Sequence, residues 1–173
     1  MNLNRFWLTF ILMVIVQMVI CNYFPASPYV MISILPAIVL LIPIQYGTPM
    51  ALVVAFVTGL CVDFLSDGVP GLNAFSLVPV AFCRKNIVSL IFGEELFARK
   101  ENVSFAKHGA VKVALALLFA EFIFFLLYIH MDIAGTRPFS FRLLRFVLSL
   151  SVSSPLALLV ADRLTKEDRK RWN

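Results

Sequence analysis

The sequence predicts an all-α integral membrane protein, a bundle of six transmembrane helices. Of its 173 residues, 61% are hydrophobic and only 14% are charged, whereas about a quarter of the residues of a soluble domain are charged. Residues 6–62 contain no charged residue. As one helix this stretch would be roughly 85 Å long, but a bilayer core is only about 30 Å thick. The stretch therefore folds back on itself, which predicts three crossings.

Apolar runs separated by turn residues place the six crossings. Pro25 and Pro28 end the first run, and polar turns at 45–49 and 66–71 bound the third. A loop at 132–140 separates the last two. The predicted spans are 6–21, 29–44, 50–65, 72–92, 110–131 and 141–161, and a charged cytoplasmic tail (162–173) completes a single transmembrane domain, 1–173.

The first and fourth spans allow more than one interpretation. The first follows a basic residue, Arg5, as in a signal peptide, but no clear small-x-small cleavage site follows it, so we interpret it as a retained span. The fourth contains Arg84 and Lys85. Either it continues through both to Phe92, or it ends before them. In the second case both side chains reach the headgroups, and residues 87–97 form an interfacial helix.

The basic residues predict the orientation in the membrane. Of the 15 Lys and Arg residues, Arg137, Arg142 and Arg145 fall on one side, and the other 12 fall on the side of the N-terminus. Both termini are therefore predicted to be cytoplasmic, with the 66–71 loop outside. The net charge of +5 indicates contact with anionic membrane lipid. The chain lacks the basic, aromatic soluble surface that nucleic acid would require.

Polar residues are concentrated around the turn between the third and fourth spans. Asp63 lies near the end of an apolar helix, where an unpaired carboxylate is costly. Asp67 can cap the following helix, Gly71 belongs to the turn, and Asn73 offers an amide one turn into the fourth span. This local chemistry favours a tight, capped outer hairpin over a binding site.

A basic partner for Asp63 is available on the same side of the membrane. Arg142 and Arg145 lie one helical turn apart at the start of the sixth span, so both can face one neighbour. Attraction between opposite charges is stronger near hydrocarbon, where an isolated ion is penalised. We therefore predict that Asp63 pairs with Arg142 or Arg145 and closes the outer side of the bundle.

Glu121 lies near the middle of the fifth span, within a run of apolar residues. Intramembrane carboxylates usually face the bundle interior and mark functional sites. A neutral, hydrogen-bonded glutamic acid that fixes helix packing is an equally good interpretation. Its candidate partners are Gln17, Thr58, Ser149, Ser151, Ser153 and Ser154.

The sequence indicates no cofactor, metal or catalytic site. The cysteines match no zinc spacing, and His108 and His130 are isolated from other ligand-type residues. Pro36, Pro79 and Pro155 lie inside predicted spans. They either break helices around a cavity, as in transporters, or are tolerated as kinks, and kinks are the commoner case.

The pattern G-L-x-x-D-x-L-S-x-x-x-P-G-L-N-A, which runs from Gly59 to Ala74, resembles the rod shape-determining MreD family of bacteria. Chain length, number of spans and the short basic tail agree with this family, but only this hairpin is specific. The chain departs from the family in an additional Asp67-Gly68 and in a longer charged segment between the fourth and fifth spans.

The resemblance implies a non-enzymatic scaffold of the cell-elongation machinery in the bacterial inner (cytoplasmic) membrane, with a role in cell shape and peptidoglycan synthesis. It implies binding to the bitopic protein MreC and, through it, to MreB filaments, RodA and a penicillin-binding transpeptidase. It also implies a fold similar to the substrate-binding components of vitamin transporters.

Two other classes of function remain open. A small-molecule-binding component of a transporter would need several polar groups converging on one cavity, and it ranks second. An intramembrane aspartic enzyme would need two facing carboxylates with separated proton affinities. The second aspartate motif is absent from the sequence, so an enzyme ranks a distant third.

Overall fold

The protein is nearly all helical in the part described by its structure, a computed structural model covering residues 3–23, 28–67, 70–94, 96, 103, 105, 109–133 and 137–169. Within these residues five helices are long and apolar enough to cross a membrane, and the protein is a multi-pass helical membrane bundle. The elements are α1 (Leu3–Tyr23), α2 (Leu35–Leu40), a 3₁₀-helix (Ile44–Tyr46), α3 (Gly47–Val62), a π-helical turn (Asp63–Asp67), α4 (Leu72–Phe92), α5 (Ala110–Ile133) and α6 (Phe139–Arg169).

The long helices pack in chain order from α3 onwards. Helix α3 packs along α4, α4 along α5, and α5 along α6, while the short α2 contacts all four of these helices. Helices α1 and α6 keep most of their hydrophobic windows outside the core. Their large apolar side chains are therefore free to contact lipid, and the short α2 occupies the centre of the bundle.

The second predicted span, 29–44, is not one continuous helix, so the prediction of a sixth long helix is wrong. Residues 31–34 form no helix, and α2 has only six residues. Pro36 lies in the first turn of α2, where its missing N–H breaks no hydrogen bond, and Pro43 immediately precedes the 3₁₀-helix. Every residue from 33 to 44 is nevertheless buried. We call residues 29–46 the broken segment.

The broken segment extends between the two ends of the bundle. The ring of Tyr29 lies 5.1 Å from that of Phe141 in the first turn of α6. Near the start of α1, Trp7 Nε1 donates a hydrogen bond of 2.8 Å to the hydroxyl of Tyr46. Helix α3 begins beside Tyr46, so its far end, with Asp63, lies at the opposite end. We call these the Trp7 end and the Asp63 end.

The remaining helices follow the predicted spans more closely. Helix α4 is continuous over Leu72–Phe92 and has no break before Arg84, which favours the first of the two interpretations of the fourth span. Pro79 in α4 and Pro155 in α6 are accommodated within continuous helices. Helix α6 continues to Arg169, into the predicted tail. Most of the predicted polar segment between the fourth and fifth spans, and His108, lie outside the described residues.

Candidate functional site

Asp63 joins the end of α3 to the start of α4. Its side chain is fully buried, and its carboxylate accepts four hydrogen bonds. The backbone N–H groups of Gly71 and Ala74 donate to Oδ2 at 3.0 and 3.2 Å, while the backbone N–H and side-chain Nδ2 of Asn73 donate to Oδ1, each at 2.9 Å. The first N–H groups of a helix have no partner within the helix, and negative charge is favourable there. Asp63 therefore caps α4 from the preceding helix.

Glycines allow this close arrangement of α3 and α4. A Cβ atom on Gly59 would lie 2.5 Å from the backbone nitrogen of Ala74 and 2.9 Å from the carbonyl carbon of Asn73, so no side chain fits there. Gly71 precedes α4 with a φ of +93°, a conformation that is unfavourable for residues with a Cβ. We call Gly59, Asp63, Gly71, Asn73 and Ala74 the Asp63 corner.

The predicted ion pair between Asp63 and Arg142 or Arg145 is wrong. Arg145 Nη1 instead bonds to Asp132 Oδ2 at 2.6 Å, and the guanidinium of Arg142 lies 5.7 Å from the ring centroid of Phe139. The carboxylate of Asp63 needs no basic side chain because amide groups at the positive end of α4 already surround it. The side chain of Asp67, the predicted cap, lies outside the described part of the chain.

Gln17 on α1 hydrogen-bonds to backbone groups of the broken segment. Its Oε1 accepts from the N–H of Ile34 at 2.8 Å, and its Nε2 donates to the carbonyl oxygen of Ile32 at 3.1 Å. Inside a membrane bundle no bulk water satisfies backbone groups that a helix leaves free. Gln17 therefore replaces hydrogen bonds that the break in the helix removes.

Two serines on α6 have the same role. Ser149 Oγ accepts a hydrogen bond from the N–H of Met31 at 2.9 Å, and Ser153 Oγ accepts one from the N–H of Ser33 at 3.1 Å. The sequence suggested these serines and Gln17 as partners of Glu121. They bind the broken segment instead, because its free backbone groups need partners more than a neutral carboxyl group does.

Arg84 caps the C-terminal end of α2, a role that the sequence did not predict. The side chain is 4% exposed. Its Nε donates to the carbonyl oxygen of Leu40 at 2.9 Å, and its Nη2 donates to that of Ile42. A cation is favourable beside the carbonyl groups that end a helix. Arg84 thus points into the bundle rather than to the headgroups, while Lys85 is exposed.

A cavity at the Trp7 end opens beside Arg84. It has a volume of about 230 Å³ and is lined by Ile44, Gly47, Thr48, Arg84 and Lys85. Two basic side chains and the start of α3 meet here, so the cavity carries positive electrostatic potential.

Glu121 is fully buried on α5, and neither of its carboxyl oxygens has a hydrogen-bond partner among the described residues. An ionised carboxylate without a partner is strongly disfavoured in an apolar interior. The surroundings of Glu121 therefore favour its neutral form, in contrast to those of Asp63. No hydrogen bond joins Glu121 to Asp63 or to Arg84.

Within the described residues, no group of three or more His, Cys, Asp or Glu side chains has the arrangement of a metal site. Comparison of the chain with protein-family models, with curated proteins and with solved structures gave no significant match.

Proposed function

We propose that this protein is a non-enzymatic scaffold of the bacterial cell-elongation machinery that binds an MreC-type bitopic protein in the cytoplasmic membrane. Through that partner it would connect to MreB filaments, RodA and a penicillin-binding transpeptidase, and so act in cell shape and peptidoglycan synthesis. One observation supports the proposal most. Five of the motif residues that carry the resemblance to the MreD family contact one another at the Asp63 corner.

The partner surface is proposed to lie on the outside of the Asp63 corner. Phe64 follows Asp63 and is 71% exposed, and Phe75 follows Ala74 and is 49% exposed. Both side chains project from backbone that the bonds to Asp63 and the close approach at Gly59 hold in place. A single transmembrane helix can pack against such a preformed aromatic surface with little loss of conformational entropy.

The proposed topology has six crossings, with the broken segment as the second and both termini in the cytoplasm. Contacts of Tyr29 at the Asp63 end and of Tyr46 at the Trp7 end support the additional crossing. A cysteine at position 67, in a chain without its native cysteines, should react with an impermeant reagent from outside intact cells. Reaction only after permeabilisation would refute this orientation.

The partner is tested by co-expression with the MreC-type protein of the source organism, followed by purification in mild detergent. We expect the two proteins to co-purify. Replacing both Phe64 and Phe75 by Ala should reduce recovery of the partner at least about fivefold. By contrast, Phe119→Ala, which removes an aromatic on α5 about as exposed as Phe75, should leave it unchanged. If the unmodified chain recovers no MreC-type protein, the proposed function is wrong.

The runner-up is a small-molecule-binding component of a transporter, and the broken segment favours it. Discontinuous helices at the centre of a bundle often form the substrate sites of transporters, and the cavity beside Arg84 adjoins this segment. An acidic, vitamin-like molecule would suit its two basic side chains. Mass spectrometry of the purified protein distinguishes the two functions, because a stoichiometric small molecule lost in Arg84→Gln would favour the transporter component.

A further inference from the structure

A groove between α5 and α6 lies away from both sites described above. Its volume is about 310 Å³, at the lower end of the range of about 300–1,000 Å³ for ligand pockets. Phe125 and Ile129, both buried, form its floor, while Phe122, Leu126 and Leu143 are exposed along its walls. At its deep end the rings of Phe122 and Phe146 meet edge to face, with centroids 5.2 Å apart. The groove is therefore apolar and faces the lipid.

The opposite end of the groove carries nitrogen-bearing side chains. His130 and Arg142 line the groove near the Asp63 end, where α5 and α6 are joined. Eight residues separate His130 from Phe122 on α5, which corresponds to about 12 Å of helix. Half of a bilayer core is roughly 15 Å thick. The groove thus has the length of one leaflet, with its polar groups at the headgroup level.

Arg142 retains its positive charge for an external partner. The neighbouring Arg145 is already paired with Asp132 at 2.6 Å. Arg142 Nε is buried, and it has no hydrogen-bond partner among the described residues. Its guanidinium is held over the ring of Phe139, a contact that orients the group without neutralising it. The mouth of the groove is therefore complementary to an anion.

We propose that this groove binds one acyl chain of an anionic phospholipid, whose phosphate group contacts Arg142 and His130. The hydrocarbon lies along Phe125 and Ile129 and ends against the Phe122–Phe146 pair. Arginine and a histidine N–H both donate hydrogen bonds to phosphate oxygens. This lipid site is independent of the proposed partner surface, because the two lie on different helix pairs.

Native mass spectrometry of the protein in detergent, titrated with a phosphatidylglycerol, tests the site. Diacylglycerol with the same acyl chains is the comparison ligand, because it lacks only the phosphoglycerol group. We expect phosphatidylglycerol to bind at least about tenfold more tightly than diacylglycerol, as charge-assisted hydrogen bonds would provide. Equal binding of the two lipids would overturn the proposal.

Matched variants separate the site from general attraction to lipid. Arg142→Gln should weaken phosphatidylglycerol binding about tenfold, and Arg142→Lys should keep most of it. Arg137→Gln, which removes a cation near the same end but outside the groove, should change binding less than about twofold. Equal losses in Arg142→Gln and Arg137→Gln would show non-specific attraction and overturn the site.

A second variant tests the acyl-chain position without removing charge. Leu126→Trp should fill the groove and reduce binding at least about fivefold, whereas Leu118→Trp, on an exposed part of α5 outside the groove, should not. All variants should keep the elution volume of the folded protein.

A photoreactive side chain at Leu126 should label lipid in membranes. Labelling of a protein instead would identify a different occupant and contradict the proposal.

Discussion

The Asp63 corner and the half of the α5–α6 pair at the Asp63 end are built in opposite ways. At the corner, glycine brings two backbones together and a buried carboxylate accepts four hydrogen bonds. Helices α5 and α6 also pack along each other, but a groove of about 310 Å³ remains between them, lined largely by phenylalanine rings and other apolar side chains. Where apolar burial gives helices little reason to associate, small residues and hydrogen bonds determine which pairs pack tightly.

The same comparison applies to the two buried carboxyl groups. Asp63 and Glu121 are both fully buried. Asp63 lies among backbone N–H groups at the start of α4, whereas the two oxygens of Glu121 have no partner among the described residues. A buried acid in a membrane protein can therefore be a structural anion or a neutral packing group, and its position relative to helix ends decides which.

The largest effect is expected from Gly59→Leu, which would disrupt the close packing of α3 against α4 at the Asp63 corner. The new side chain would collide with the backbone of Asn73 and Ala74, and backbone atoms cannot move aside as a flexible side chain can. We expect a loss of about 3 kcal/mol or more in stability and little folded protein on size-exclusion chromatography. Cys61→Leu, on the exposed side of the same helix, is the control. Normal folding of both variants would contradict the close packing described here.

The next largest effect is expected where side-chain hydrogen bonds stabilise the broken segment. Arg84→Leu should destabilise the protein by about 2 kcal/mol, because the carbonyl groups of Leu40 and Ile42 would lose their donor. Thermal unfolding in detergent measures this loss. Lys85→Leu, at the exposed neighbouring position, should leave the melting temperature nearly unchanged. A melting temperature for Arg84→Leu equal to that of Lys85→Leu would show that α2 needs no external cap.

Gly71→Ala should have a smaller effect, confined to backbone conformation. At a φ of +93° a Cβ atom is strained by about 1–2 kcal/mol, and no neighbouring atom lies within 4 Å of its position. We expect a modest fall in melting temperature, with the fold retained. Gly59 is thus required because no side chain fits there, whereas Gly71 is required for its backbone conformation. An equal or greater loss for Gly71→Ala than for Gly59→Leu would reverse this assignment.

The smallest effect is expected from the ion pair between α5 and α6. The ion pair between Arg145 and Asp132 is partly exposed, and such pairs contribute about 0–1 kcal/mol. Arg145→Gln should therefore lower stability by less than about 1 kcal/mol in the same unfolding assay. Asp132→Asn should have a similar effect. A loss comparable to that of Arg84→Leu would mean that this pair holds α5 and α6 together.

The bounds of the long helices were largely predictable, because uncharged runs of about 20 residues have few alternatives in a bilayer. The break in the helix of the second predicted span was not predictable. Its composition is as apolar as that of a helix, and Pro36 and Pro43 gave the only local signals of a break. The bonds that stabilise it come from Gln17, Arg84 and α6, which are distant in sequence and become partners only in the folded bundle.

The candidate site was predicted in its location but not in its contacts. The turn residues around Gly71 indicated a capped hairpin with Asp67 as the cap, whereas in the structure Asp63 caps α4. An ion pair was favoured for Asp63 because basic side chains are the obvious partners of a carboxylate near hydrocarbon. The close approach permitted by Gly59 brings the first N–H groups of α4 within reach instead, and sequence reasoning on charges alone does not include backbone dipoles.

The most direct test compares two substitutions that each replace one carboxyl oxygen by an amide nitrogen, Asp63→Asn and Glu121→Gln. In the first, the new side-chain amide would place its N–H groups against the N–H groups of α4, whereas a neutral Glu121 already resembles glutamine in shape. In thermal unfolding of the purified protein in detergent, we expect a loss of at least about 2 kcal/mol for Asp63→Asn and less than about 1 kcal/mol for Glu121→Gln. Equal losses, or a greater loss for Glu121→Gln, would contradict the assignment of Asp63 as the anionic cap and of Glu121 as a neutral packing group.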